Sequence, residues 1–189
     1  MSVVHAGCEL AVNEDGRGEG VLATRCFGVG ETVLVGKIER RRRANHSHAT
    51  EVGLSEFVEL GGLGSKVNHS CDPNCGVRVN ETGAPDLVAR RDITVGQEIT
   101  FDYAMRNYSV EHFPSRCLCG TEKCRGRVTG WKDLPEKTKA DYRGFVAPYL
   151  LELDAYGRGA APSRRTDDPD GVAPTRYGRE PFGEGARRH

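Results

Sequence analysis

The sequence has no surplus of charge, no long apolar run and few aromatic residues, and each absence removes a class of function. Lys and Arg number 27 and Asp and Glu 27, so no global attraction to nucleic acid or anionic lipid is expected. The run Arg40-Arg41-Arg42-Arg43 is a local basic feature. It reads as a solvated strand end or loop, with a substrate, nucleic-acid or import role as the other reading. No stretch approaches the ~20 apolar residues of a membrane span, and Met1 to Glu14 has neither a basic leader nor a long enough apolar core for a secretory signal. The expectation is a soluble, cytoplasmic protein with no membrane partner. In a reducing compartment its seven cysteines argue for metal or free thiols rather than disulfides. The N-x-S/T triplets at Asn45, Asn68, Asn80 and Asn107 then read as coincidental.

Glycine is plentiful, with 24 residues beside 9 prolines, which predicts short strands joined by turns rather than a helical bundle. No internal repeat divides the 189 residues, so one folded domain with a polar tail is expected. Gly16 to Gly20 precedes a strand at Val21 to Ala23, and Gly28 to Glu31 precedes one at Thr32 to Val35. Further strands are predicted at Glu56 to Leu60, Cys75 to Val79, Asp86 to Arg90 and Glu98 to Tyr103, whereas the rest of Arg40 to Gly64 is poorly patterned. Leu134 to Leu153 has Pro135 near a helix start and apolar residues at helical spacing, predicting one or two helices interrupted near Gly144 or Pro148. From Gly157 onward too few large apolar residues remain to offset the entropy of ordering, so that tail is expected to be disordered.

Cys117, Cys119 and Cys124 form a C-x-C-x4-C array with Gly120 at its turn. Structural zinc wants four tetrahedral ligands, so a distant residue must supply the fourth. Cys71 is the leading candidate, followed by Cys75, Cys26 and Cys8. A redox or incidental cluster is the alternative.

Asn68-His69-Ser70-Cys71-Asp72-Pro73-Asn74 resembles the N-H-S-C-x-P-N signature of SET-domain lysine methyltransferases. Gly96-Gln97-Glu98-Ile99-Thr100-Phe101-Asp102-Tyr103 is similar to that family's G-E-E-[IL]-T-F-D-Y strand. Cys117 to Gly126 resembles its post-SET segment, and Gly18-Glu19-Gly20-Val21 its opening G-x-G-[VL] turn. The resemblance implies a mainly β fold with minor α, made of small curved β-sheets with a threaded C-terminal segment. It divides the chain into a SET domain over 8–109, a post-SET zinc segment over 110–131, a helical extension over 132–156 and the tail over 157–189.

It also implies S-adenosylmethionine as cofactor and a lysine of a protein or peptide as acceptor; the balanced charge predicts no direct nucleic-acid contact, and the oligomeric state is left open. Gly18, Glu19 and Gly20 would approach the cofactor through backbone, beside the side chain of Asn68 and the backbone of His69. Arg116, Cys117 and Leu118 would cover its adenine. Tyr103, also at the cofactor, would close the inner end of a lysine channel, and Phe101 occupies the family's phenylalanine/tyrosine switch. The resemblance makes Cys71 the partner of Cys117, Cys119 and Cys124 on structural zinc. Tyr103 would orient the amine rather than act as a base, because its reference pKa is ~10. Phe101 leaves room for methylation past the first methyl.

The sequence departs from the pattern in three places. No tyrosine precedes Tyr103, so the family's second channel tyrosine is missing. Lys66 stands where an aromatic often precedes the N-H-S-C motif, and Glu19 stands where an aromatic often separates the two glycines. Alternatives are therefore a diverged enzyme acting on a small amine or unusual peptide, and a cofactor- and zinc-binding module without catalysis. A DNA-binding zinc module lacks a recognition-helix pattern and basic net charge. His46 and His48 read as surface residues.

Overall fold

The protein is described by a computed structural model covering residues 7–13, 17–42, 49–53, 56–110 and 116–157. All of the expected disordered tail but Gly157, together with Arg43, Asn45, His46 and His48, lies outside these residues. Strand β1 (Cys8–Asn13) pairs antiparallel with β2 (Gly18–Ala23), from Cys8 opposite Ala23 to Asn13 opposite Gly18. Gly18 adopts φ 76° at the start of β2, a conformation that favours glycine. Three strands, β3 (Thr32–Leu34), β8 (Cys75–Val79) and β9 (Pro85–Ala89), form an antiparallel sheet ordered β3-β9-β8.

A second sheet, ordered β4-β6-β5, joins β4 (Ile38–Arg42), β5 (Thr50–Gly53) and β6 (Glu56–Leu60). It occupies the poorly patterned middle of the sequence. Its order was hidden because β4 is held by charge rather than apolar alternation. Arg42 pairs with Glu59 at 2.6 Å, Arg40 with Glu59 at 3.7 Å and Arg41 with Glu56 at 3.9 Å. Much of the basic run is thus neutralised by neighbouring strand carboxylates.

Two short strands, β7 (Asn68–His69) and β10 (Thr100–Phe101), pair in parallel. The predicted strand to Tyr103 ends earlier than expected: a 3-10 turn spans Tyr103–Met105, because the Asp102 carboxylate accepts a hydrogen bond from Ala104 N and caps it. An aspartate that bonds to nearby backbone competes in this way with a sheet ladder.

Helices α1 (Glu136–Asp141) and α2 (Pro148–Gly157) replace the predicted helical stretch, with the break falling at Gly144, φ 83°, and at Pro148. They close over one apolar core containing Val21, Phe27, Val77, Ile99, Phe101 and Leu150. Backbone bonds from Ala147 N to Met105 O, 2.9 Å, and from Val77 N to Phe145 O, 2.8 Å, fix them to the β framework. Mainly β with few helices, the architecture matches the expected class. No helix among the described residues is long and apolar enough to cross a membrane.

Candidate functional site

The parallel pair β7–β10 puts Asn68 beside Thr100 and His69 beside Phe101, joining the two densest motifs of the sequence. Asn74 fastens them. Its amide donates to Glu98 O at 2.8 Å and its carbonyl accepts from Thr100 N at 2.9 Å. A short strand pair supplies few ladder bonds, so this buried side chain substitutes for a missing neighbour.

Glu98, to which the sequence reading gave no role, gathers the opening turn around Asn68. Its carboxylate accepts from Asn13 at 3.0 Å, Asn68 at 2.8 Å and Arg17 at 2.6 Å. Asn68 also donates to Glu19 O at 2.9 Å. Gly20 is packed so closely that an added Cβ would lie 2.6 Å from both Asn13 Nδ2 and Glu98 Oε1. Gly18, Glu19, Gly20 and Asn68 therefore form one cluster. Removing a largely buried acceptor of three donors leaves groups to be resolvated or unsatisfied. Glu98→Ala is accordingly expected to lose about 1–3 kcal/mol of stability, and Glu98→Gln less, as read by urea unfolding at constant m-value.

Glu19 and Lys66, two departures from the family pattern, are partners of each other. Lys66 Nζ lies 2.6 Å from Glu19 Oε2, with both side chains half-exposed. Such a pair contributes little to stability, but it turns a position expected to be apolar into a charged rim.

Behind Asn68, His69 sits between the two reactive regions. Its Nδ1 accepts from Tyr103 N at 3.2 Å, leaving Nε2 to carry the proton, and Nε2 lies 3.4 Å from Cys71 Sγ. Burial, partly opposed by Asp102 and aided by Arg125, holds the imidazole down to about 4. The ring is neutral at physiological pH and orients both neighbours. Its centroid is 5.2 Å from that of Tyr103, which is 5.1 Å from that of Phe101. Tyr103 Oη donates to Val67 O at 3.2 Å, and burial raises its phenol above the ordinary value. A neutral phenol that donates to a carbonyl is not a base.

Cys71, Cys117, Cys119 and Cys124 bring their four sulfurs within 4.8 Å of one another. Cys71 Sγ and Cys117 Sγ are 3.8 Å apart, the separation that Zn–S bonds of ~2.3 Å give in a tetrahedron, ~3.8 Å. Backbone amides of Arg125 and Gly126 point at Cys71 Sγ and Cys124 Sγ, each at 3.4 Å, as suits thiolates bound to a cation. Burial pushes the Cys71 thiol up to about 11 and Cys117 upward too. At Cys119 burial also acts upward but is outweighed by hydrogen bonding with Thr121 and neighbouring amides, which bring the thiol to about 6. Four sulfurs that cannot all ionise unaided are a donor set for a divalent ion, whose binding would release protons. The other sequence candidates fall elsewhere: Cys8 and Cys75 are buried in the core and Cys26 is exposed.

Asp102 ties this cluster to the rest. Fully buried, it receives Arg125 at 2.7 and 3.0 Å, the hydroxyl of Tyr142 at 3.0 Å, and Ala104 N at 3.1 Å. Burial and the Asp102 charge together raise the Tyr142 phenol; at Arg125 burial is the largest single effect and acts downward, but the hydrogen bond to Asp102 and the charges around it together raise the guanidinium. Leu118, beside Cys117, is 52% exposed. It belongs to the cysteine loop, which closes through Cys117 N to Gly126 O at 3.1 Å and a bridge between Arg116 and Arg127.

Comparison with known proteins is consistent with this geometry. The family model for the SET domain matches residues 18–104. The chain is 31% identical over 145 residues to a protein of Aspergillus oryzae named histone-lysine N-methyltransferase, H3 lysine-36 specific, a match covering 70% of this chain and 15% of that protein. It is 38% identical over 131 residues to a protein of the same name in Cryptococcus neoformans, covering 66% and 16%. The chain thus spans only a small part of these relatives' length. Among solved structures, KRYPTONITE in complex with mCHG DNA and SAH is similar at TM-score 0.52 and 26% identity, over 64% of this chain and 28% of that one. With N-H-S-C and T-F-D-Y joined on a framework of small β-sheets, residues 18–104 are a SET domain.

Proposed function

We propose that the protein transfers methyl groups from S-adenosylmethionine to a lysine side chain of another protein. In this reading 8–109 is the catalytic unit, 110–131 a post-SET zinc segment and 132–156 a helical extension. The observation that carries it is the β7–β10 pairing, which sets Asn68, Phe101 and Tyr103 side by side and leads directly into the four-sulfur cluster. The named activity of the relatives and the SAH held by the structural neighbours support it.

Gly18, Glu19, Gly20, Asn68, His69 and Tyr103 would hold the cofactor. The site fits: a Cβ added at Gly18 would meet nothing within 4 Å, leaving its backbone approachable, and Leu118 presents an apolar side chain without cover. When bound, the sulfonium supplies an electrophilic methyl group, which passes to the lone pair of a neutral amine as the carbon–sulfur bond breaks. The chain's task is then alignment and exclusion of water. Tyr103 and Phe101 would form the inner channel, with the phenol orienting the amine. Zinc held by Cys71, Cys117, Cys119 and Cys124 would lock the cysteine loop in place.

Labelled S-adenosylmethionine offered with a histone H3 peptide and with total protein extract tests this reading. Labelled lysine is the expected result, and cofactor binding without transfer to any acceptor overturns it in favour of a binding module. Tyr103→Phe is expected to lower kcat by about tenfold to a hundredfold while cofactor affinity holds. Mass spectra of exhaustively methylated product should show dimethyl or trimethyl lysine, since Phe101 adds no hydroxyl to crowd or bind the amine. A histone acceptor would move the working compartment from the cytoplasm to chromatin.

A further inference from the structure

Arg106 is a charged group that the reading above does not use. Its amide donates to Tyr103 O at 3.2 Å and its carbonyl accepts from Tyr149 Oη at 2.6 Å, so its backbone is fixed between the Tyr103 turn and α2. The guanidinium lies over Phe101, with Cζ 4.9 Å from the ring centroid. Its Nε is buried without a hydrogen-bond partner. Arg125 has Asp102, whereas no carboxylate of the described residues forms an ion pair with Arg106. Desolvation, opposed by Tyr103 and Tyr149, brings its pKa down to about 10, so the charge persists at physiological pH.

A partly desolvated cation without a counter-ion tends to find an anion or to lose some of its basicity. Here its visible partner is an aromatic face, which stabilises a cation but does not neutralise it. The titratable groups around it are Tyr103 on the preceding turn and Tyr149 on α2, with Glu51 of β5 one hydrogen bond further, accepting from Tyr149 Oη at 2.9 Å. Burial raises all three above their ordinary values, so the two phenols are neutral at physiological pH, and Glu51 forms no ion pair with Arg106 but meets it only through Tyr149.

We propose that Arg106 is a positioning residue for methyl transfer: its fixed positive charge beside Phe101 and Tyr103 disfavours a protonated lysine there, so the acceptor reaches the methyl donor as the neutral amine. The inference rests on the methyltransferase reading. The lysine ammonium gives its proton to water, leaving the lone pair that attacks the methyl carbon. Through a low-dielectric path a cation several ångströms away lowers the pKa of a lysine by about one unit or more. Arg106 also covers Phe101 in a chain that has no upstream tyrosine to build the channel.

The test begins with the unaltered protein. An H3 peptide spanning lysine 36, or the peptide that extract labelling identifies, carries its acceptor as ¹³C-methyl monomethyllysine and is titrated by NMR, free and bound, with S-adenosylhomocysteine present. The bound amine is expected to titrate about one pH unit or more below the free one; an equal or higher value overturns the proposal without touching the methyltransferase reading. In kcat against pH, Arg106→Met should move the acidic limb upward by about one unit and Arg106→Lys should restore it. An unmoved limb in a folded, cofactor-binding Arg106→Met protein also overturns the proposal. Absence of methyl transfer by the unaltered protein to any acceptor removes the underlying reading instead.

Discussion

Asp102→Ala is expected to destabilise the protein by about 3–5 kcal/mol, the loss seen when one partner of a buried ion pair is removed. Asp102 is wholly buried and meets Arg125, Tyr142 and the capped amide of Ala104 at once. Alanine would leave the Arg125 charge in a site without its carboxylate, and would uncap the turn that carries Tyr103. Both effects point the same way. Asp102→Asn keeps the cap acceptor but places an amide donor where the second oxygen accepted from Tyr142, and it removes the charge, so it should recover only part of the loss. Equilibrium unfolding in urea reads both variants. A change below ~1 kcal/mol for alanine would mean that the Arg125 pair contributes almost nothing and that the C-terminal segment is anchored by other contacts.

The second large effect concerns the sulfur cluster. Cys71→Ser, or stripping metal with a chelator, is expected to release residues 116–126 from the β framework. Zinc bound by four thiolates contributes free energy on the order of 10 kcal/mol to a small folding unit, far above any one contact in this loop. Metal analysis of the untreated protein should give one zinc per chain, and Cys71→Ser should give much less. If Leu118 covers the cofactor, its loss should weaken cofactor binding by roughly fivefold to tenfold, the equivalent of about 1 kcal/mol of apolar burial. Tyr103 should be affected as well, because His69 bridges Cys71 Sγ and Tyr103 N. Unchanged proteolysis of the loop and unchanged cofactor affinity after metal removal would show that the cluster has no structural role.

These two cases mark what the sequence disclosed and what it hid. The predicted strands at Glu56–Leu60 and Cys75–Val79 occur with the same bounds, since alternation and flanking turns define them locally. The nearness of Cys71 to Cys117 was legible because three cysteines in eight positions demand a fourth ligand and a recognisable motif nominated one. Asp102, Arg125 and Tyr142 were not legible as a unit, because nothing in an F-D-Y or C-R-G triplet says which distant group will meet its charge. Glu98 was overlooked for the same reason: its partners Asn13, Arg17 and Asn68 are remote in sequence. The middle sheet escaped because Arg40, Arg41 and Arg42 lie on β4 and pair with glutamates, so charge masks its alternation. Arg106 was invisible as a chemical group, since an arginine without a counter-ion is defined by its surroundings rather than by its neighbours along the chain.

The separation between Cys71 and Cys117, and that between Asp102 and Tyr142, has a bearing on synthesis. Each contact spans 40 residues or more, so a ribosome must deliver the later partner before the earlier one is satisfied. A nascent chain that already displays Asn68 and Tyr103 still lacks the later sulfurs and Tyr142 at that moment. Truncation anywhere upstream of Tyr142 would therefore leave Asp102 without one of its buried partners, and truncation upstream of Cys117 would leave Cys71 alone.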